Sequence, residues 1–157
     1  MINNSKQPYT NARLGAVQAI YAKTCGTESW EKVMSQFLLQ ELGNEAIQEE
    51  SGHEQYIPVA PMDEALFTHL VQYVRDNYDT LNQMVEDAFS DKIQRDKVDT
   101  TLRAILLSGI AEFFVNATLD APIIINEYTD IARSFYAGPQ VKIVNAVLDK
   151  VGKTLRS

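Results

Sequence analysis

Few side chains in this sequence of 157 residues have the types and spacing that catalysis or metal binding requires. The two histidines, His53 and His69, belong to no HExxH or cysteine–histidine pattern, which argues against a zinc site. Cys25 has no histidine three or four positions away, so a catalytic thiol is not expected. The sequence also lacks a glycine-rich phosphate loop. We therefore expect neither a metal, nor a cofactor, nor enzymatic activity.

One carboxylate, Glu112, stands out because it lies between Ala111 and Phe113 in the most apolar stretch of the sequence. It has two interpretations. A carboxylate at the rim of the core would pair with Arg103 or Arg133, whereas a general base would need a pocket around it. We favour the first interpretation, because nothing else in the sequence points to a reaction.

The basic residues are concentrated at the two ends of the chain, although the net charge is −7. Residues 1–27 carry a charge of +3 and residues 140–157 carry another +3, whereas residues 28–139 hold 7 bases and 20 acids. A basic groove would result if the two ends meet in the fold, and phosphate binding rests on such clusters of lysine and arginine. The acidic middle would suit a basic protein partner. The alternative, scattered charge that only keeps the protein soluble, stays open at this point.

Apolar residues recur at the spacing of a helix in seven segments of the chain. These helices with short connections predict an all-α bundle. Residues 44–60 are acidic and show no period, which predicts a long loop. The fifth segment is the most apolar and is expected to be central, and Gly109 within it predicts a close helix approach. The seven segments cover about residues 10–23, 30–42, 66–74, 79–89, 98–115, 122–135 and 143–151.

Composition sets the broad class of the protein. With 45% hydrophobic and 22% charged residues the chain is typical of a soluble globular protein, and its length fits one domain, residues 1–157. No run approaches the roughly 18 apolar residues of a membrane span, and the N-terminus lacks the apolar core of a signal peptide. A single cysteine cannot form an internal disulfide, so we expect a cytoplasmic protein.

Three segments carry a family resemblance: ARLGAVQAIYA at residues 12–22, PIIINEYTDIARSF at residues 122–135 and KIVNAVLDK at residues 142–150. No single segment is specific, but together with Glu112 they follow the order and spacing of one family. The chain resembles the transcription antitermination factor NusB family over most of its length.

The resemblance implies a non-enzymatic adaptor with an all-α fold in two packed helical subdomains, about residues 1–78 and 79–157. In this family the adaptor binds boxA-type single-stranded RNA together with the ribosomal protein that acts as NusE, in the transcription elongation complex. The RNA lies along the basic N-terminus and the region around Asn145. Candidates for phosphate contacts are Lys6, Arg13, Lys142 and Lys153, and candidates for polar or stacking contacts are Gln18, Tyr21 and Asn145.

Several of these residues have a purely structural alternative. Tyr21 falls on the apolar stripe of its helix and would serve equally well in the core, and Asn145 would serve as an amide between packed helices. Asn126 and Glu127, in the first turn of their helix, would complement free backbone N–H groups.

The sequence also departs from the family pattern. Residues 6–13 hold two bases where the family has several consecutive arginines, and Ile143 replaces an aromatic residue. These departures predict weak, salt-sensitive RNA binding. They leave open a second function, a helical protein-interaction module that has lost most direct RNA binding. A methyltransferase with a NusB-like domain is not expected, because the sequence ends soon after its seventh helix. Self-association stays undecided.

Overall fold

The computed structural model describes residues 6–43, 45–48, 54–57 and 61–156. Within these ranges helices supply the core, so the all-α class predicted from the sequence is confirmed. In chain order the elements are α1 (Gln7–Cys25), α2 (Trp30–Gly43), β1 (Glu45–Gln48), β2 (Glu54–Ile57), α3 (Glu64–Asp76), α4 (Tyr78–Ala88), α5 (Lys92–Asp96), α6 (Thr100–Val115), α7 (Ala121–Phe135) and α8 (Pro139–Leu155).

Seven of these eight described helices correspond to predicted segments, and side-chain caps fix where several of them begin. Ser29, Asp63 and Asp99 each accept a hydrogen bond from the backbone N–H three residues later, at 3.1, 2.7 and 2.9 Å. Helix α1 begins earlier than predicted, because Pro8 fits the first turn, where its missing N–H is not needed. The sequence does not predict α5, whose five residues are too few to show a helical period.

The segment between α2 and α3 corrects one prediction. Residues 44–60 are predicted as a loop, but β1 and β2 form an antiparallel pair there, with Glu45 opposite Ile57. Strands of four residues are too short to show the alternation by which strands are recognised in a sequence. The positions of this segment that lie outside the described residues are 44, 49–53 and 58–60, with His53 among them.

Helix α6 lies at the centre of the described structure, as its apolar composition predicts. It contacts α1, α3, α4, α7 and α8, and eleven of its residues are buried. Gly109 marks the crossing of α6 and α8, since a Cβ at this position would lie 2.9 Å from Leu148 Cδ1. The close helix approach predicted from this glycine is confirmed.

Helix α1 joins several parts of the molecule. It packs against α3 and α6 and also touches α7. Its first turn is tied to the segment before α3, because the Asp63 N–H donates to the Pro8 carbonyl at 2.9 Å and the Asn11 amide donates to the Pro61 carbonyl at 2.8 Å. The division into subdomains at residues 1–78 and 79–157 stays a prediction.

Helices α7 and α8 pack side by side, and a groove lies between them. Between them the backbone reverses at Gly138, whose φ of +64° is a conformation that glycine adopts without strain. None of the described helices is both long enough and apolar enough to cross a membrane.

Candidate nucleic-acid interface

A buried ion pair anchors α1 to α6. Arg13 is 5% exposed and Glu112 is fully buried. The Arg13 Nε donates to Glu112 Oε1 at 2.8 Å, and its Nη2 donates to Oε2 at 2.7 Å, a two-point contact that fixes both side chains. The predicted partners of Glu112 are therefore wrong: Arg103 pairs with Glu86 at 2.7 Å, and Arg133 pairs with Asp130.

Other polar groups complete this cluster around the Glu112 carboxylate. The Tyr128 hydroxyl donates to Oε1 at 2.8 Å and lies 3.0 Å from Ser108 Oγ, while the Asn116 amide donates to Oε2 at 3.2 Å. Burial raises the pKa of Tyr128, and the charge of Glu112 raises it further. Because its carboxylate is buried and bonded in this way, Glu112 has the role of a structural anion rather than of a general base.

The same cluster decides what Arg13 can do. Burial opposes its charge, but the hydrogen bond and the charge of Glu112 outweigh that effect, so the pKa of Arg13 is raised. Glu127 adds a second carboxylate, 3.7 Å from Arg13 Nη1. The guanidinium is thus neutralised inside the protein, and the predicted phosphate contact through Arg13 finds no support in this geometry.

A polar groove of about 510 Å³ lies between α7 and α8. Two predicted residues, Lys142 and Asn145, line it together, and both are exposed. The suggestion that Asn145 serves as an amide between packed helices is therefore wrong. Asn126 lines the facing wall, so the groove presents one unpaired ammonium and two amide groups. Arg133 and Asp149 also line it, and their charges are paired with Asp130 and Lys153.

Sequence reasoning did not identify the α7 wall of this groove. Asn126, Thr129 and Arg133 stand three and four residues apart, which places them on one face of α7. Lys142, Asn145 and Asp149 of α8 have the same spacing and share a face for the same reason. Two polar stripes of equal spacing in adjacent helices were the available signal, but only packing shows that the stripes face one groove.

The remaining predicted residues lie outside the lining of this groove. Lys6, just before α1, and Gln18 on α1 are exposed. Tyr21 is 42% exposed, so the suggestion that it belongs to the core is wrong. A hydrogen bond with the Cys25 thiol raises the pKa of Tyr21, and the nearby charge of Asp99 contributes to the same shift. Lys153 pairs with Asp149 at 2.9 Å.

Ile143, the residue that replaces an aromatic side chain of the family pattern, is only 5% exposed. It packs in the core and lines a depression between α5 and the first turn of α8 rather than the α7–α8 groove, so it offers no stacking face in the groove. Base contacts in the groove would consequently depend on amide groups.

The described lysines and arginines differ in how often their charges are paired within the protein. Every described arginine is engaged by a carboxylate or, for Arg156, by backbone carbonyls. Among lysines, Lys32 and Lys153 pair with acids one helical turn away. No ion pair with a described carboxylate forms at five exposed lysines: Lys6, Lys92, Lys97, Lys142 and Lys150.

Comparison with known proteins decides the family. The model of the NusB family matches residues 10–153. The chain belongs to the NusB family. The transcription antitermination protein NusB of Caulobacter vibrioides is 30% identical over 156 residues, which cover 99% of each chain. The resemblance inferred from the motifs is confirmed.

Solved structures of NusB proteins share the fold of this chain. NusB of T. maritima superposes with a TM-score of 0.68 at 16% identity, covering 92% of this chain and 89% of that one. A crystal structure of antitermination factors NusB and NusE in complex with dsRNA superposes with a TM-score of 0.69 at 16% identity, covering 92% of this chain and 96% of that one.

Proposed function

We propose that this protein is a transcription antitermination adaptor that binds boxA-type RNA together with the ribosomal protein acting as NusE. The observation that carries the proposal is the NusB-family match over residues 10–153. A NusB protein in a solved complex with NusE and double-stranded RNA supports both partners. Single-stranded boxA-type RNA is the ligand that membership of the family implies, and exposed amide groups are suited to reading unstacked bases.

The α7–α8 groove would serve as the RNA-binding face. Lys142 would neutralise a phosphate, and the amides of Asn126 and Asn145 would donate and accept hydrogen bonds with base edges. Lys6, exposed at the start of α1, would supply a further phosphate contact. The cluster around Glu112 supports this arrangement indirectly, because it fixes the position of α1 relative to α6 and α7.

This adaptor would have no catalytic activity and would act in the cytoplasm as part of the elongation complex. Its affinity for RNA alone is expected to be modest, since Lys142 is the single unpaired cation in the described lining of the groove. The protein partner would therefore supply much of the stability of the complex.

The test is RNA binding measured with and without the ribosomal-protein partner. Fluorescence anisotropy with labelled boxA-type RNA should show at least several-fold tighter binding when the partner is present. A scrambled RNA of the same length and composition is the control, and it should gain less. The proposal fails if the partner produces no gain.

A second candidate function is a helical protein-interaction module without direct RNA binding. Three observations favour it: Arg13 is buried in an ion pair, Lys153 is paired and Ile143 is packed in the core. Retained binding to the ribosomal protein, combined with no RNA binding at low salt, would select this module over the adaptor.

A further inference from the structure

A second depression adjoins the α7–α8 groove on the side of α5. It has a volume of about 260 Å³ and lies between α5, the turn that follows it and the first turn of α8. Lys97 and Gln94 line it from one side and Pro139 and Lys142 from the other. Lys142 also lines the α7–α8 groove, so the two depressions share a wall. A chain leaving the groove over Lys142 enters this second depression, which we call the α5 hollow.

The lining of the α5 hollow has a net charge of +1, because it holds two lysines, Lys97 and Lys142, against one acid, Asp91. Lys97 and Lys142 are exposed, and neither forms an ion pair with a described carboxylate. Asp91, the acid in the lining, accepts the N–H of Gln94 at 2.8 Å as the cap of α5. The neighbouring Arg95 pairs with Glu86 of α4, at 2.9 Å, and so its charge is already balanced.

The α5 hollow also has an apolar wall. Ile93 is 68% exposed, one of the most exposed large apolar side chains among the described residues. An exposed aliphatic group beside two unpaired ammonium groups matches a nucleotide, whose phosphate is anionic and whose base has an apolar face. The α5 hollow continues the α7–α8 groove through Lys142, and this continuity favours nucleic acid over an acidic peptide as its occupant.

We propose that the α5 hollow binds the RNA that flanks the segment held in the α7–α8 groove, with Lys97 on a phosphate and Ile93 against a base. This inference rests on the proposed RNA-binding function and extends it to a surface in the acidic middle of the sequence. Lys142 would bridge the two depressions and determine the direction in which the RNA leaves the groove.

The test compares two RNAs and two matched lysine variants. One RNA holds only the boxA-type segment, and the second adds flanking nucleotides at both ends. Lys97→Ala is the test variant. Lys150→Ala is the control, because Lys150 is equally exposed and unpaired but lines a separate pocket between α4 and α8. Affinity is measured by fluorescence anisotropy over a series of salt concentrations, in the presence of the ribosomal-protein partner.

We expect Lys97→Ala to weaken binding of the long RNA by about fivefold near 0.1 M salt and to reduce the salt slope by about 0.7, the contribution of one phosphate contact. Binding of the short RNA should not change, and Lys150→Ala should leave both RNAs unaffected. Ile93→Ser should weaken the long RNA without changing the salt slope, since it removes an uncharged contact.

Several outcomes would overturn the inference. If wild type binds both RNAs but Lys97→Ala and Lys150→Ala behave alike, the α5 hollow is not an RNA site and the groove proposal stands. If Lys97→Ala weakens binding of the ribosomal protein instead, the hollow is a protein contact. If wild type binds neither RNA with the partner present, the adaptor proposal fails and this inference fails with it.

Discussion

The cluster around Glu112 and the lysine-bearing surface of α5 and α8 use charged side chains in opposite ways. In the cluster, Arg13 and Glu112 are buried and every polar group has a partner at hydrogen-bond distance. On the lysine-bearing surface, Lys97 and Lys142 are exposed and form no ion pair with the described acids. Both regions contain cationic side chains, yet only those of the lysine-bearing surface are available to a ligand.

The difference follows from the cost of removing a charge from water. A buried guanidinium stays charged only where a carboxylate and further hydrogen bonds compensate its lost hydration. Its N–H groups and its charge are then no longer available to a partner molecule. An exposed lysine stays hydrated and needs no internal partner, so its charge remains available to attract phosphate. Burial thus separates residues that hold the fold together from residues that bind, and the following predictions test this separation.

The largest effect is expected from breaking the buried pair. Glu112→Ala leaves Arg13 charged and buried without its two-point partner, with only the Glu127 carboxylate 3.7 Å away, which should lower the free energy of unfolding by about 3–5 kcal/mol. Urea denaturation followed by circular dichroism measures the change. Glu28→Ala is the control, because the Glu28–Lys32 pair is exposed and should contribute less than about 0.5 kcal/mol. Equal effects of the two substitutions would show that the cluster does not hold α1 in place.

A smaller loss is expected from the hydroxyl of Tyr128. Tyr128→Phe keeps the ring but removes the hydrogen bonds to Glu112 and Ser108, which should cost about 1.5–3 kcal/mol. The same denaturation experiment applies, with Tyr9→Phe at an exposed position as the control. In a double-mutant cycle, Tyr128→Phe should cost less in the Glu112→Ala background, and strict additivity would contradict a shared cluster.

Alkaline pH should weaken the cluster through Tyr128. Because burial raises the pKa of Tyr128 in the folded protein, the unfolded chain loses this proton at a lower pH than the folded protein does. The contribution is fully present below about pH 10 and should fall by at most about 1.4 kcal/mol per pH unit above it. Unfolding free energies measured from pH 8 to 11 should decline less steeply for Tyr128→Phe than for wild type. Identical slopes would contradict the assignment.

The smallest effect on stability is expected at the lysine-bearing surface. Lys142→Ala should change the free energy of unfolding by no more than about 0.5 kcal/mol, because no internal contact is lost. RNA affinity should fall by about fivefold near 0.1 M salt, with the salt slope reduced by about 0.7. Calorimetric melting and an anisotropy titration on one preparation separate the two effects. A large loss of stability with unchanged RNA binding would show that Lys142 supports the fold and does not bind RNA.

Local sequence features predicted most of the fold. Apolar residues three and four apart located seven helices, since this spacing reflects the geometry of a single helix and needs no knowledge of its neighbours. Gly109 correctly indicated the close approach of α6 to another helix. The motifs around Tyr21, Glu127 and Asn145 were sufficient to indicate the family, because they occur as short strings in the order and spacing of that family.

The tertiary structure alone decided what the charged residues do. Arg13 and Glu112 are separated by 99 positions, so no local spacing in the sequence predicts their contact. Arg103 and Arg133, which are closer to Glu112 in the sequence, pair with other acids. The packing of separate helices likewise decides three further features: Tyr21 is exposed, Ile143 is buried, and the two depressions share a wall. Helical periodicity is a property of adjacent turns, and the sequence alone therefore predicts it. The burial and pairing of a charge depend on elements far apart in the chain, and these meet only in the folded protein.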